Sequence, residues 1–140
     1  MKSTNNLNIV IVDDNLIYQR IISYSLKQNS YNILFQAENG QDCLDQLRQS
    51  VVLPHLIILD LDMPVMNGYD TAIHLKASWP AIKIIAYSST EDPKAFQKIM
   101  ANGADHFVSK GNDIQELIRK IAQLIIPEVN ENIQNGWRKV

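Results

Sequence analysis

The chain has little of what marks several common protein classes. Its single cysteine, Cys43, excludes an internal disulfide and fits a reducing, cytoplasmic setting. No apolar run approaches the roughly 18 residues of a membrane-crossing helix, and the start, MKSTNNLN, lacks the apolar stretch of a secretory signal. Neither sign of charge dominates: 13 basic against 15 acidic residues leave a net charge of -2, so nothing points to nucleic acid or an anionic membrane. The histidines, His55, His74 and His106, are scattered, which argues against a histidine metal triad or a phosphorelay histidine. No repeat or low-complexity tract occurs. What is left is 140 residues, 46% hydrophobic and 20% charged, the size and composition of one domain with a real core. Cys43 lies in a helical pattern with no His or Lys beside it and reads as a small core filler rather than a reactive thiol.

What is present is an alternation of short apolar runs and helical patterns. Strands are predicted at 8–12, 32–37, 56–59, 82–87 and 105–108. A helix capped by Asn15 is predicted over about 16–28, with Ile17, Ile21 and Tyr24 on one face. Further helices are predicted at 40–49, carrying Cys43, Leu44 and Leu47, and at 69–77, ending near Trp79-Pro80. Pro93 opens a fourth helix with Phe96, Ile99 and Met100 inward. The last helix has the cleanest stripe, Ile114, Leu117, Ile118, Ile121 and Ile125, with Asp113 and Glu116 at its start. Apolar strands without polar alternation, each followed by a helix, imply a parallel sheet covered on both faces. Five such units are too few for a closed eight-fold barrel, so an α/β fold with an open doubly wound sheet is expected. Residues 1–126 would form this domain. Residues 127–140 differ in composition and read as a tail or the start of a linker, although Val129, Ile133, Trp137 and Val140 fall at helical spacing and allow an extra amphipathic turn.

Two of the apolar runs end in acids. The first meets Asp13-Asp14, and the third, in LIILDLDMPVMNG, meets Asp60 and then Asp62. A carboxylate at the end of a buried strand is costly unless a cation or a donor compensates it. In a doubly wound sheet the carboxyl ends of the strands are where ligands bind. Asp13, Asp14 and Asp60 at one mouth would repel each other and become compatible around a divalent cation, and an oxygen-only donor set favours Mg²⁺ with phosphate as a natural companion. Ser88 ends the fourth strand and offers a hydroxyl donor; Lys110 follows the fifth and offers a point positive charge. Each residue alone would read as a cap, a turn or a surface side chain.

Together, VDD, LDLDMPVMNG, the strand-terminal Ser and the strand-terminal Lys resemble the receiver domain of two-component response regulators, over about residues 7–126. The resemblance implies a flavodoxin-like five-stranded sheet in the order 2-1-3-4-5. It implies that Asp60 is the phosphoacceptor, attacking a phosphohistidine on a sensor histidine kinase or a histidine phosphotransfer protein. Asp14 and Asp60 would ligate Mg²⁺, the backbone carbonyl of Asp62 would be a third ligand, and Asp13 would act mostly through metal-bound water. Ser88 and Lys110 would contact the phosphoryl group, Phe107 would be the aromatic switch, and Asp62 with Thr90 would tune the lifetime of the phosphate. The chain would be a switch with self-phosphorylation and slow autodephosphorylation only, not an enzyme of other substrates. The fourth helix, fifth strand and fifth helix would form the partner or homodimer face, with Lys94, Lys98, Arg119 and Lys120 exposed.

Three residues depart from the family's usual pattern. Gly111 follows Lys110 where proline with a cis bond is common, so a trans bond is expected; VSKG looks more like receivers joined to helix-turn-helix DNA-binding domains of the LuxR kind, and no such domain follows within the sequence. Phe107 lacks the hydroxyl of the commoner tyrosine. Asp62 places an acid at a lifetime-tuning position. Two other readings compete for the same residues. DLDMP superficially resembles the nucleophile motif of haloacid-dehalogenase-type phosphatases, but the order of the acidic motifs is reversed. A phosphorylation-independent pseudo-receiver would usually have lost an acid, and none is lost here.

Overall fold

The computed structural model describes residues 7–125. Nine elements run β1 (Asn8–Val12), α1 (Leu16–Gln28), β2 (Asn32–Ala37), α2 (Gly40–Gln49), β3 (Leu56–Leu59), α3 (Gly68–Ser78), β4 (Lys83–Ser88), α4 (Pro93–Ala101) and β5 (His106–Ser109). A further helix, α5, covers 114–125 at the end of the described residues. All strand pairs are parallel, and the sheet order is β2-β1-β3-β4-β5, the flavodoxin-like topology expected. The last two strands sit one residue later than their hydrophobicity suggests, because ladder pairing carries β4 through Ser88 and β5 through Ser109. The tail at 127–140, with its helical spacing of Val129, Ile133, Trp137 and Val140, lies outside the described residues.

The strand side chains alternate between two apolar layers, which is why the strands read as unbroken hydrophobic runs. Val10, Val12, Ile57, Leu59, Ile84 and Ala86 point to the layer that α2, α3 and α4 cover with Cys43, Leu44, Leu47, Leu75 and Ile99. Ile9, Ile11, Leu56, Ile58, Ile85 and Tyr87 point to the layer covered by α1 and α5 with Ile22, Leu26, Leu117 and Ile121. Cys43 is fully buried and its thiol is pushed up to about 12 by burial and then by Asp42, so it is an inert core residue as expected. Ends are capped locally: Asn15, Asn39, Asn67 and Asp92 side chains accept backbone N–H groups of the helices they precede.

The structure orients one predicted stripe and corrects one packing expectation. Ile17 and Tyr24 are 68% and 66% exposed and Ile21 is also exposed, while α1 buries Gln19, Ile22, Ser25 and Leu26 instead. The predicted stripe is real but faces outward. On α4, Ile99 is buried and Met100 partly so, whereas Phe96 is 46% exposed and leans edge-on against Phe107 with ring centroids 5.7 Å apart.

Candidate functional site

Strand register builds the site. Val12 pairs with Leu59, so the residues that follow, Asp13 and Asp60, emerge side by side at the carboxyl end of the sheet. The Asp60 N–H donates to the Val12 carbonyl (2.9 Å), and the Asp13 N–H donates to that of Ala37 (3.0 Å). On the other side, the Lys110 N–H donates to the Ser88 carbonyl (2.8 Å), which brings the end of β5 to the end of β4. Carboxylate oxygens of Asp13, Asp14 and Asp60 lie within 4.8 Å of one another; Asp13 and Asp60 are buried and Asp14 faces solvent.

The local wiring explains how these groups stay put. Asp13 Oδ1 accepts from the Asn15 N–H (2.9 Å), and Asp60 Oδ1 accepts from the Leu61 N–H (2.9 Å). Lys110 Nζ lies 2.8 Å from Asp13 Oδ2 and 3.4 Å from Asp60 Oδ1, and its side chain is only 5% exposed. A charged lysine this deep needs a carboxylate partner, and Asp13 supplies the shorter contact. Even so, one ammonium faces three carboxylates. Burial first and Asp13 second push the Asp60 carboxyl from 3.8 up to about 6, against the opposing pull of Lys110 and the Leu61 N–H. A compact, all-oxygen, electrically unbalanced donor set of this kind suits a hard divalent cation, and the triad fits a Mg²⁺ site.

Ser88 is buried, and its Oγ accepts from the Thr90 N–H (3.2 Å). Thr90 Oγ1 accepts from the Asp92 N–H (3.3 Å), and Asp92 caps α4. The serine hydroxyl is therefore tied through one short turn to the start of α4. Phe107 is half-buried beside Phe96 of the same helix. Asp62 is exposed, and with Asp92 it raises the Tyr69 hydroxyl after the larger effect of burial. No cis peptide occurs among the described residues, so Lys110–Gly111 is trans.

Some of the site was not foreseen from the sequence. A Cβ on Gly68 would lie 2.2 Å from the Asp60 carbonyl oxygen, so only glycine lets α3 start against the acid's own backbone. Buried Gln19 donates from Nε2 to the carbonyls of Asp13 (2.6 Å) and Ala37 (3.0 Å), stitching α1 to the ends of β1 and β2. Its position one turn before Ile22 on the buried stripe was the available signal. Tyr18 and Tyr87 flank Lys110, with ring centroids 4.1 and 5.9 Å from Nζ.

Comparison with known proteins agrees with this geometry. The family model for the response regulator receiver domain matches residues 9–122. A protein-glutamate methylesterase/protein-glutamine glutaminase of Desulfotalea psychrophila is 32% identical over 120 residues, covering 84% of this chain and 32% of the relative. Response regulator GacA of Pseudomonas aeruginosa is 26% identical over 119 residues, covering 84% of this chain and 55% of the relative. The chain thus spans between about a third and a half of these curated relatives. The crystal structure of the CheX-CheY-BeF3-Mg²⁺ complex from Borrelia burgdorferi superposes with a TM-score of 0.80 at 19% identity, covering 84% of this chain and 88% of that one, and so shares the fold. With the acidic strand ends, the sheet order and the matched span all in place, the chain belongs to the response regulator receiver domain family, the phosphorylation-switched phosphoacceptor modules of two-component signalling.

Proposed function

We propose that Asp60 is the phosphoacceptor and that Asp14 and Asp60, the Asp62 carbonyl and, through water, Asp13 hold Mg²⁺. The observation that carries this reading is the buried Asp60 carboxylate with two further acids within 4.8 Å and Lys110 Nζ at 3.4 Å. In the reaction an Asp60 Oδ–P bond forms as the donor's P–N bond to a phosphohistidine breaks, and the imidazole leaves with the electron pair. Mg²⁺, when bound, supplies charge neutralisation for the phosphoryl oxygens. Lys110 supplies a second positive charge from the opposite wall. Ser88 gives up its bond from the Thr90 N–H, turns its hydroxyl toward the new phosphoryl oxygen, and so pulls on the α4 turn. Phe107, already against Phe96, follows into the space released. Asp62 and Thr90, at the rim, set how fast water reaches the acyl phosphate. The Mg²⁺ and beryllofluoride named in the Borrelia CheY complex support the same chemistry.

The partner is a sensor histidine kinase or a histidine phosphotransfer protein in the cytoplasm, and residues 1–126 form the receiver, followed by a tail or linker. The outward apolar stripe of α1 (Leu16, Ile17, Ile21 and Tyr24) begins directly beside Asp13-Asp14 and is the natural seat for the helical surface of the donor. The face of α4, β5 and α5, with Lys94, Lys98, Arg119 and Lys120, is left for the output partner or a second copy. Incubation with acetyl phosphate and Mg²⁺, followed by intact-mass measurement, tests the core of this reading. One added phosphoryl group is expected, absent in Asp60→Asn and with a chelator; wild type without any gain would sink it. Sedimentation with beryllofluoride tests the dimer, and an unchanged monomer counts against it.

A further inference from the structure

The Lys110 ammonium is enclosed on more than its carboxylate side. Besides Asp13 Oδ2 at 2.8 Å and Asp60 Oδ1 at 3.4 Å, it lies over the face of Tyr18, 4.1 Å from the ring centroid, with Tyr87 at 5.9 Å. The two rings are edge to face, 6.3 Å apart at 86°, so each fixes the other's orientation. Tyr87 is held by β4 in the apolar layer under α1 and α5. The Tyr18 backbone is fixed in the first turn of α1, where its N–H donates to the capping Asn15 side chain (3.1 Å). Lysine has a flexible stem and no planar fork to set its direction. Lys110 is moreover followed by Gly111 and Asn112, both exposed, in a turn that adds no covalent stiffness.

We propose that Tyr18 is a positioning residue: its ring, braced by Tyr87, holds the Lys110 ammonium against Asp60 and closes that side of the phosphoryl site. A ring face attracts the ammonium without competing for its protons, so all three N–H groups stay available to oxygen. That matters because the ammonium has to serve two states. Before transfer it lies nearer Asp13. After transfer the charge on the Asp60 side grows, and the ammonium turns toward it. The aromatic wall leaves that short swing open and blocks the longer one into solvent. Tyr18 thereby speeds phosphorylation and slows loss of the lysine from the acyl phosphate.

The inference rests on the reading that Lys110 faces the phosphoryl group, and the experiment separates the two. The full chain is phosphorylated with acetyl phosphate and Mg²⁺; the Asp60–phosphorus bond forms as the acetyl-oxygen–phosphorus bond breaks, and acetate leaves with the electron pair. Initial rates are read by intact mass for wild type, Tyr18→Leu, Tyr18→Phe, Lys110→Ala and the double variant Tyr18→Leu/Lys110→Ala. A desolvated cation–π contact corresponds to a loss of about five- to thirty-fold for Tyr18→Leu, with Tyr18→Phe rescuing the rate and with no further loss when Tyr18→Leu is added to Lys110→Ala. Equal rates for wild type and Lys110→Ala would overturn the reading of Lys110. An impaired Lys110→Ala beside an unimpaired Tyr18→Leu would overturn the role of Tyr18 alone, as would full additivity in the double variant. If Tyr18→Leu fails to fold, phenylalanine analogues with one, two and three ring fluorines at position 18 keep the shape and drain the ring face of negative charge. A stepwise fall in rate supports the proposal, and a flat series overturns it.

Discussion

Ile57 and Asp60 belong to one strand and its end, yet they live under opposite rules. Ile57 is fully buried between β1 and β4, and its environment changes nothing chemical: it is apolar matter removed from water. Asp60 is almost as buried, but it sits beside Asp13 in a place where its charge is resisted. The floor of the sheet is built for stability, and the mouth is built against it. A receiver's responsiveness thus comes from an imbalance the fold holds in place, ready to be relieved by a metal ion or altered by a phosphoryl group.

The largest test removes floor. Ile57→Ala empties a site packed on every side and should cost about 3–4 kcal/mol in chemical denaturation. The folded fraction should still take up a phosphoryl group from acetyl phosphate at nearly the wild-type rate. A variant that folds but no longer reacts would break the separation between floor and mouth.

Gly68→Ala joins the two regions on purpose. Its Cβ would meet the Asp60 carbonyl oxygen at 2.2 Å and the Leu61 Cα at 2.8 Å, both backbone atoms that cannot swing aside. A loss of about 2–3 kcal/mol is expected from the forced backbone shift. Unlike Ile57→Ala, this variant should also react more slowly, because the atom displaced belongs to Asp60 itself. Unfolding and phosphorylation kinetics on the same sample read both effects.

At the mouth the sign reverses. In metal-free protein, folding raises the Asp60 carboxyl from 3.8 to about 6, so between about pH 4 and pH 6 the folded state binds more protons than the unfolded chain. The stability contributed at Asp60 is therefore present in acid and lost as pH rises through that window. Asp60→Asn removes the charge and should stabilise the metal-free protein at pH 7 by about 2 kcal/mol, after allowance for solvent relaxation. The gap between the two proteins should widen from pH 4 to 6 and stay level above. A gap independent of pH would mean that the charge on Asp60 is not what strains the mouth.

These contrasts also show which parts of the molecule the sequence could disclose. Apolar runs ending in Asp13-Asp14 and Asp60 placed the strands and the acidic mouth together, because burial and charge meet there in a few adjacent letters. The clean stripe on α5 was equally readable, with Leu117 and Ile121 fully buried. On α1 periodicity was not enough. Two stripes compete there, and the more hydrophobic one, through Ile17, Ile21 and Tyr24, is the exposed one, while the buried one includes Gln19 and Ser25. Periodicity detects a stripe and cannot say which side of a helix meets the sheet when the inner side carries a polar stitch. Phe96 misled for a related reason: its partner, Phe107, is itself only half-buried. The rings around Lys110 were invisible for another reason. They depend on distances between residues far apart in the chain, and no local pattern encodes those.

The smallest effect is expected at Val65, in the loop that leaves Asp60. It is a β-branched residue at φ 68°, in the left-handed region, and 82% exposed, so no packing compensates its strain. Asparagine tolerates that conformation better and loses less chain entropy than glycine would. Val65→Asn should therefore stabilise the protein by about 0.5–1 kcal/mol, read as a small rise in the denaturation midpoint. Phosphorylation of the same variant tells whether that strain belongs to the mouth. If the strain is incidental, the rate with acetyl phosphate stays the same and the loop is part of the floor's ordinary tolerance. If the rate falls while stability rises, the strain is shared with Asp60 through the Met66 and Gly68 backbone bonds, which reach Gly40 and Leu61. The tension in the mouth would then extend beyond its charges into the chain that carries them.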